Sequence, residues 1–385
     1  MSRKVIVVGG GLAGLNAARY LQREGLEVLI LEASDRIGGR VATDFVDGFI
    51  LDHGFQVINP KYAELRETID IKKLALETLP KGIEIINGDE RVLVGDFRSD
   101  PKFLKGVLSS KSGKIGEKVE FLRYLLSQTE EISFGAAMQN CGRLYLEVLE
   151  PFLKGVLLTN PSEVSNSVAR ELIHWFIKGN PGVPRDGAAQ LPKILAEGLS
   201  IQLDTSVLEI KNRSVVTTDG EMDCDAIILA ADPITSSKLL NLRTPRMNRS
   251  ITFYHALREG EIRTPYLRVR KNSPLVNSVV ISNSAKNYAP KGMSLLATTT
   301  LEPISTNDLN KELELMWALN AVNWELIKSY EIKNSLPFHP VGQSLVCENR
   351  IEKGLYLAGD WCATPSQQGA LLSGRRAALS LIRDL

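Results

Sequence analysis

Residues 4–34, KVIVVGGGLAGLNAARYLQREGLEVLILEAS, decide how the chain reads. Val5 to Val8 is a continuous apolar run, as a strand covered on both faces requires. Gly9, Gly11 and Gly14 follow as GxGxxG. Leu15, Ala18 and Leu21 then recur at helical spacing and predict an inward stripe. Gly25 predicts the helix end, and Leu26 to Leu31 a second buried strand with Glu32 at its tip. In such a strand–turn–helix–strand unit, Gly9 permits the tight turn and Gly11 lets backbone approach a pyrophosphate. Gly14 lets helix and strand pack closely. The uncompensated N–H groups and positive dipole end of the helix favour the phosphates. An acid about 20 residues on, here Glu32, accepts hydrogen bonds from the ribose hydroxyls. The unit therefore reads as a dinucleotide site.

The motif by itself leaves NAD and FAD open. The next stretch, SDRIGGR, adds Arg36, Gly38, Gly39 and Arg40. A second glycine pair permits another close backbone approach, and Arg40 brings a planar cation to it. Near the other end of the chain, GLYLAGDWCATPSQQGALLSGRRAA (354–378) repeats the pattern of apolar strand, glycine turn and helix.

Together, VVGGGLAGLNAARYL…VLILEASDRIGGR resembles the FAD signature of the flavin amine oxidase and phytoene desaturase superfamily, which includes protoporphyrinogen oxidase. GFILDHGFQVI (48–58) resembles that superfamily's return to the flavin, and LDTSVLEIKNRSVVTTDGEMDCDAIILAAD (203–232) its second return. Residues 354–378 resemble its C-terminal flavin motif. The resemblance implies an α/β fold: a Rossmann-like FAD-binding domain of the glutathione-reductase-like, amine oxidase type with an inserted α+β substrate domain. It implies non-covalent FAD held by Gly9, Gly11, Leu12, Ala13, Gly14, Glu32, Ala33, Arg36, Gly38, Gly39, Arg40, Gly54, Phe55, Gln56, Val207, Ala230, Gly359, Asp360, Gln368, Gly369 and Ala370. Val207 would pair its backbone with the adenine edge, and Asp360 would bind the ribityl hydroxyls. The helix at Gly369–Ala370 would face the flavin edge that gathers charge on reduction.

The FAD domain is then discontinuous, residues 1–75, 185–245 and 338–385, with 76–184 and 246–337 forming the substrate domain. The first insert is helical in pattern, as in EKVEFLRYLLSQ. In the second, SITFYHALREG and GMSLLATTT read as strands and Leu309 to Tyr330 as a helix.

Catalytic residues are less determined. In the family's amine oxidases an aromatic cage includes a Tyr just before the C-terminal Gly-Ala, and a Lys holds water at the flavin. Here Ser366 takes the Tyr position, and the nearest matching strand offers Tyr254 and His255 without Lys. His255 reads either as a proton acceptor or as a histidine packed in a sheet. His53 and Gln56 read either as contacts to flavin or substrate or as packing around Gly54. These departures favour hydride abstraction from an apolar small molecule, of isoprenoid or tetrapyrrole type. Amine oxidation is the alternative, and a structural FAD with a binding role a second one. The electron acceptor stays open among oxygen, a quinone or another carrier.

Composition narrows the setting. The 385 residues are 44% hydrophobic and 24% charged with net charge +1, which gives no pull towards nucleic acid. The four cysteines and four histidines are scattered, so neither a disulfide framework nor a metal site is expected. No apolar run has the length of a membrane span, and the N-terminal run is too short for a signal peptide. A cytoplasmic protein is expected. PKFLKGVLSSKSGKIGEKVEFLRYLLSQ (101–128) sets Lys102, Lys105, Lys111, Lys114, Lys118 and Arg123 among Phe103, Leu104, Val107 and Leu108. It reads as a solvated face or as a segment resting on anionic lipid.

Overall fold

In the computed structural model, which describes residues 3–128 and 130–385, the first strand runs Lys4–Val8 in the middle of a six-stranded sheet. Across that sheet lie Arg350–Glu352, Leu355–Leu357, Ala226–Leu229, Lys4–Val8, Glu27–Leu31 and Ser200–Gln202. All neighbours are parallel except the first pair. Val5, Ile6 and Val7 are fully buried because both faces are covered. Helices Leu12–Arg23 and Gln367–Asp384 cover one face, and the three-stranded sheet of Val207–Lys211, Ser214–Thr217 and Gly220–Asp223 packs on the other. Each such aliphatic side chain contributes roughly 1.5–3 kcal/mol by leaving water.

The two helices meet backbone to backbone. A Cβ on Gly374 would stand 2.1 Å from the Ala13 carbonyl oxygen, so only glycine allows this approach. Buried Asn16 secures it: its Nδ2 donates to the Leu371 carbonyl (2.7 Å), and its Oδ1 accepts from the Thr68 hydroxyl (2.9 Å).

A second sheet has seven strands, in the order Glu325–Pro337, Met247–Arg258, Met293–Thr300, Leu275–Val280, Leu267–Arg270, Gly82–Asn87 and Glu90–Gly95. Tyr254, Tyr288 and Leu295 pack on one face. Helix Thr306–Trp317 closes the other through Leu309, Leu313, Met316 and Trp317. A helical lobe, with Phe134, Leu153, Val168 and Leu172 at its centre, completes the chain.

The helix expected from Leu309 to Tyr330 is corrected. Ala318 turns left-handed (φ 55°) and ends the helix at Trp317. Glu325–Pro337 is a strand paired antiparallel with Met247–Arg258. The long-range ladder satisfies its backbone, which no helical periodicity could foresee. The first insert likewise holds more than helices, because its hairpin Gly82–Asn87/Glu90–Gly95 extends the second sheet.

Asp52, at the end of strand Phe49–Asp52, joins the layers. Its buried carboxylate accepts from the Thr43 hydroxyl (2.6 Å), the Ala188 N–H (2.7 Å) and the Tyr288 hydroxyl (3.1 Å), while its carbonyl accepts from the Tyr254 hydroxyl (2.9 Å). Burial raises its pKa to about 6, although these hydrogen bonds favour the charged form. A carboxyl raised on folding contributes stability that is fully present below its unfolded pKa and is lost as pH rises through the folded value. Urea unfolding should therefore show the wild type's stability relative to Asp52→Asn declining by about 2–3 kcal/mol between roughly pH 4 and 7. A pH-independent difference would mean that Asp52 does not titrate across that window.

Candidate functional site

Gly9 turns the chain off the first strand at φ 107°, and a Cβ there would lie 2.6 Å from the Ala230 carbonyl oxygen. Buried Ala230 itself donates to the Val8 carbonyl (2.7 Å). Leu12, Ala13 and Gly14 form the first turn of a helix with no side-chain cap at Gly11. A Cβ on Gly11 would meet nothing within 4 Å, so the N-terminal end opens onto free space. The second glycine turn lies directly against it: Gly38 N–H donates to the Gly10 carbonyl (2.9 Å), and Gly39 faces Gly11.

Glu32 accepts from Gly10 N–H (2.6 Å), Ser34 N–H (3.0 Å) and the Ser34 hydroxyl (2.7 Å). Of the about four acceptor positions on a carboxylate, three are engaged. Ala33, exposed, follows Glu32 in sequence, and half-buried Val207 lies two residues past Thr205, whose N–H donates to the Glu32 carbonyl. Exposed Arg36 folds back onto the Gly39 carbonyl (2.9 Å) and braces the turn.

Arg40 links the first motif to the last. Its guanidinium meets the buried Asp360 carboxylate at 2.7 Å and the Ser335 carbonyl at 2.9 Å. Burial disfavours its charge, but Asp360 outweighs this and raises the Arg40 pKa above its ordinary value. Gly359 N–H is held by the Ser373 hydroxyl (3.1 Å).

Gly54, at φ 90°, points the position of its missing side chain at Ile332 Cδ1 and Thr252 Oγ1, 3.7 and 3.9 Å from a built Cβ. Gln56 Nε2 donates to the Arg40 (2.9 Å) and His53 (3.0 Å) carbonyls, and its Oε1 accepts from Gln367 Nε2 (3.3 Å). Phe55 packs on the cluster around Tyr254 and Tyr330. At the C-terminal helix, Gln368 is buried and accepts from Glu64 N–H (3.3 Å). Gly369 N–H donates to the Ser366 hydroxyl (3.0 Å), and Ala370 N–H to the Ser366 carbonyl (2.9 Å).

The structure does not bring the two histidine candidates to this place as free bases. His53 Nε2 meets Asp44 Oδ1 at 3.1 Å and its ring lies 4.5 Å from that of Tyr330. Asp44 also accepts from Lys328 Nζ (2.6 Å) and the Tyr330 hydroxyl (2.7 Å). Burial opposes the Asp44 charge, but these partners hold its carboxyl well below the usual range. His255 is the clearer correction. Tyr254 and Ala256 belong to the cluster beneath Asp52, whereas Phe253 and Leu257 face helix Thr306–Trp317. Strand alternation puts His255 with the latter pair. Its buried Nδ1 has no partner among the described residues, and burial lowers its pKa to about 4.

Sequence reasoning missed Gln367, Ser335, Thr252 and Ile332. Gln367 had a signal, since it neighbours Gln368 at the helix start, but only rotation about the helix axis decides which glutamine meets Gln56. Ile332 and Ser335 lie just past the expected helix end at Tyr330, in a stretch to which the sequence assigned no element.

The residues fit an FAD. The uncapped helix end, the open cradle at Gly11 and the second glycine turn suit its pyrophosphate. Gln367 Oε1 and Trp361 Nε1, within the C-terminal motif, are buried with no partner among the described residues. Among the described residues no group of His, Cys, Asp and Glu is arranged to hold a metal ion.

Known proteins agree. Hydroxysqualene dehydroxylase of Rhodopseudomonas palustris is 24% identical across 98% of this chain and 98% of its own length. Putrescine oxidase of Kocuria rosea is 49% identical over 78 residues, which is 20% of this chain and 16% of that protein. The chain thus matches only about a sixth of the putrescine oxidase. A protoporphyrinogen oxidase-like structure from Exiguobacterium superposes with a TM-score of 0.74 at 20% identity, covering 100% of both chains. The sequence profile of flavin containing amine oxidoreductases matches residues 12–303, and the protein belongs to that family as an FAD-dependent oxidoreductase.

Proposed function

We propose that the protein abstracts a hydride from a C–H bond of an apolar small molecule of isoprenoid or tetrapyrrole type, with FAD bound non-covalently. The observation that carries this reading is the neutrality of the surroundings of Gly54. Thr252, Ile332, Gln56 and Gln367 gather there, while His53 and Lys328 are committed to Asp44 and Arg40 to Asp360. A charged amine would meet no unpaired counter-charge among the named groups. Ser366, standing where an amine oxidase cage would need an aromatic ring, spends its hydroxyl on Gly369. Full-length similarity to a protein named for hydroxysqualene, an apolar isoprenoid, supports the same class.

When bound, FAD supplies the hydride acceptor. The chain's part is to hold and orient. The helix end at Gly11 and the turn at Gly38–Gly39 would take the pyrophosphate. Glu32 would use its remaining acceptor capacity on the ribose, and Asp360 would meet the ribityl chain. Gln56 and Gln367 brace one another at the inner edge. Thr252 and Ile332 exclude water and shape the substrate face.

An apolar substrate partitions into lipid, and the surface of the helical lobe suits that source. Helix Ile115–Leu126 buries none of its residues completely. Ile115, Val119, Leu122 and Leu126 all point outward, at 78%, 40%, 58% and 88% exposure. Their spacing sets them on one stripe. Leu104 and Leu108 on the neighbouring helix Phe103–Leu108 are exposed as well, whereas Phe103 is buried against Tyr266, which corrects its place in the expected surface segment. Lysines flank the stripe. We infer peripheral contact with anionic lipid; no helix among the described residues is long and apolar enough to cross a membrane.

Three results are expected. In anaerobic spectra, an isoprenoid or tetrapyrrole from a panel that also holds amines should bleach the oxidised flavin. Bleaching by amines alone would replace this reading with amine oxidation, and bleaching by dithionite but by no panel member would favour a structural flavin. Glu32→Ala should weaken FAD binding by about 1–3 kcal/mol in a titration of the deflavinated protein; unchanged affinity would remove Glu32 from the ribose. The holoprotein should sediment with anionic vesicles but not neutral ones, less as salt rises, and Leu122→Ser/Leu126→Ser should abolish this. Absence of binding to either vesicle would end the lipid inference.

A further inference from the structure

The four cysteines are not equivalent. Cys141 and Cys224 are buried in separate cores, and burial pushes each thiol up to about 11. Cys347 and Cys362, 15 positions apart, come together. Cys347 N–H donates to the Cys362 carbonyl at 3.4 Å, and Cys347 Sγ approaches the Trp361 carbonyl at 3.8 Å. That bond sets the two backbones side by side, the arrangement from which a disulfide can form without large movement. Both side chains pack in the same core, Cys362 within it and Cys347 against it. Cys347 is partly exposed and Cys362 buried.

We propose that Cys347 and Cys362 are a peroxide-oxidisable thiol pair whose disulfide fastens the FAD-binding turn at Asp360. Cys362 closes the short turn Asp360–Cys362, and Asp360 is the partner of Arg40. The cofactor part of the proposal rests on the reading of Asp360 as a ribityl contact. Geometry assigns the order of events. Cys347 is the more exposed residue of the two, and the neighbouring Cys362 thiol lowers its pKa to about 7 against the effect of burial. Its thiolate attacks hydrogen peroxide, giving a sulfenic acid and hydroxide. Cys362 sulfur then attacks that sulfur and the S–OH bond breaks. The departing hydroxide takes the Cys362 proton as water. Overall two thiols and one peroxide give one disulfide and two waters. The bridge ties the segment at Cys347 to the turn, so FAD release that needs the turn to open becomes slower.

The test treats holoprotein with hydrogen peroxide, quenches it with an alkylating agent and maps peptides without reduction. The expected result is loss of two of four thiols, a 347–362 linked peptide, and recovery of both thiols with dithiothreitol. FAD release from the oxidised protein should be several-fold slower, and Cys347→Ser, with an unchanged flavin spectrum, should show neither effect. Bridges to Cys141 or Cys224, bridges between chains, or four intact thiols after a dose that oxidises a free thiol control would overturn the pair. An intact 347–362 bridge with unchanged or faster FAD release would overturn the fastening role. The peptide map reads the bridge independently of any substrate and of the ribityl assignment.

Discussion

Everything at the cofactor end depends on how closely two helices approach. The oxygen of Ala13 occupies the space that any side chain on residue 374 would need. This fixes the helix Gln367–Asp384 against Leu12–Arg23, and with it the turn that precedes the former. The turn carries Asp360 to Arg40, and the first turn of the helix carries Gln367 to Gln56. Both pairs join stretches more than 300 positions apart. Asn16 adds the polar term: its amide satisfies one carbonyl of the C-terminal helix and one hydroxyl of Thr68, groups whose burial without partners would cost about 1–3 kcal/mol each.

The strand–turn–helix–strand unit at the start of the chain was legible because its signals are local. A tight turn, a close approach and a buried strand each demand particular residues within 30 positions, as Gly9, Gly11 and Val5–Val8 illustrate. The seven-stranded sheet was not, for two physical reasons. Helical spacing in Leu309, Leu313 and Met316 is real, but the end of the helix is set by Ala318 and by a ladder to Met247–Arg258 that lies far away in sequence. Side chains on a strand face opposite ways, so a shift of one residue decides whether His255 or Tyr254 reaches the interior near Asp52. The same one-step ambiguity separates Gln367 from Gln368.

The inner site economises on free charge. Asp44 serves Lys328, Tyr330 and His53 together, while Asp360 neutralises Arg40. Asp52 stands apart from both pairs, inside a shell of neutral donors from Thr43, Ala188 and Tyr288. Neutral hydrogen-bonding shells and ion pairs form this wall without leaving a buried ion uncompensated. A wall of that kind suits a molecule recognised by shape.

The order of strands in the six-stranded sheet has a consequence for biosynthesis. The central strand Lys4–Val8 emerges first, but its neighbour Ala226–Leu229 and the next strand, Leu355–Leu357, are translated far later. At about 5–20 residues per second, the first strand waits roughly 10–45 s for Ala226–Leu229, its second neighbour, which in turn waits for Leu355–Leu357. During that interval Val5 to Val8 is an apolar edge without its final partners, a segment of the sort that recruits chaperones or mispairs. The second sheet has a shorter wait, since six of its seven strands are complete by residue 300. Nascent chains should therefore assemble most of the seven-stranded sheet before the six-stranded sheet can close, the reverse of the order in which the two are begun.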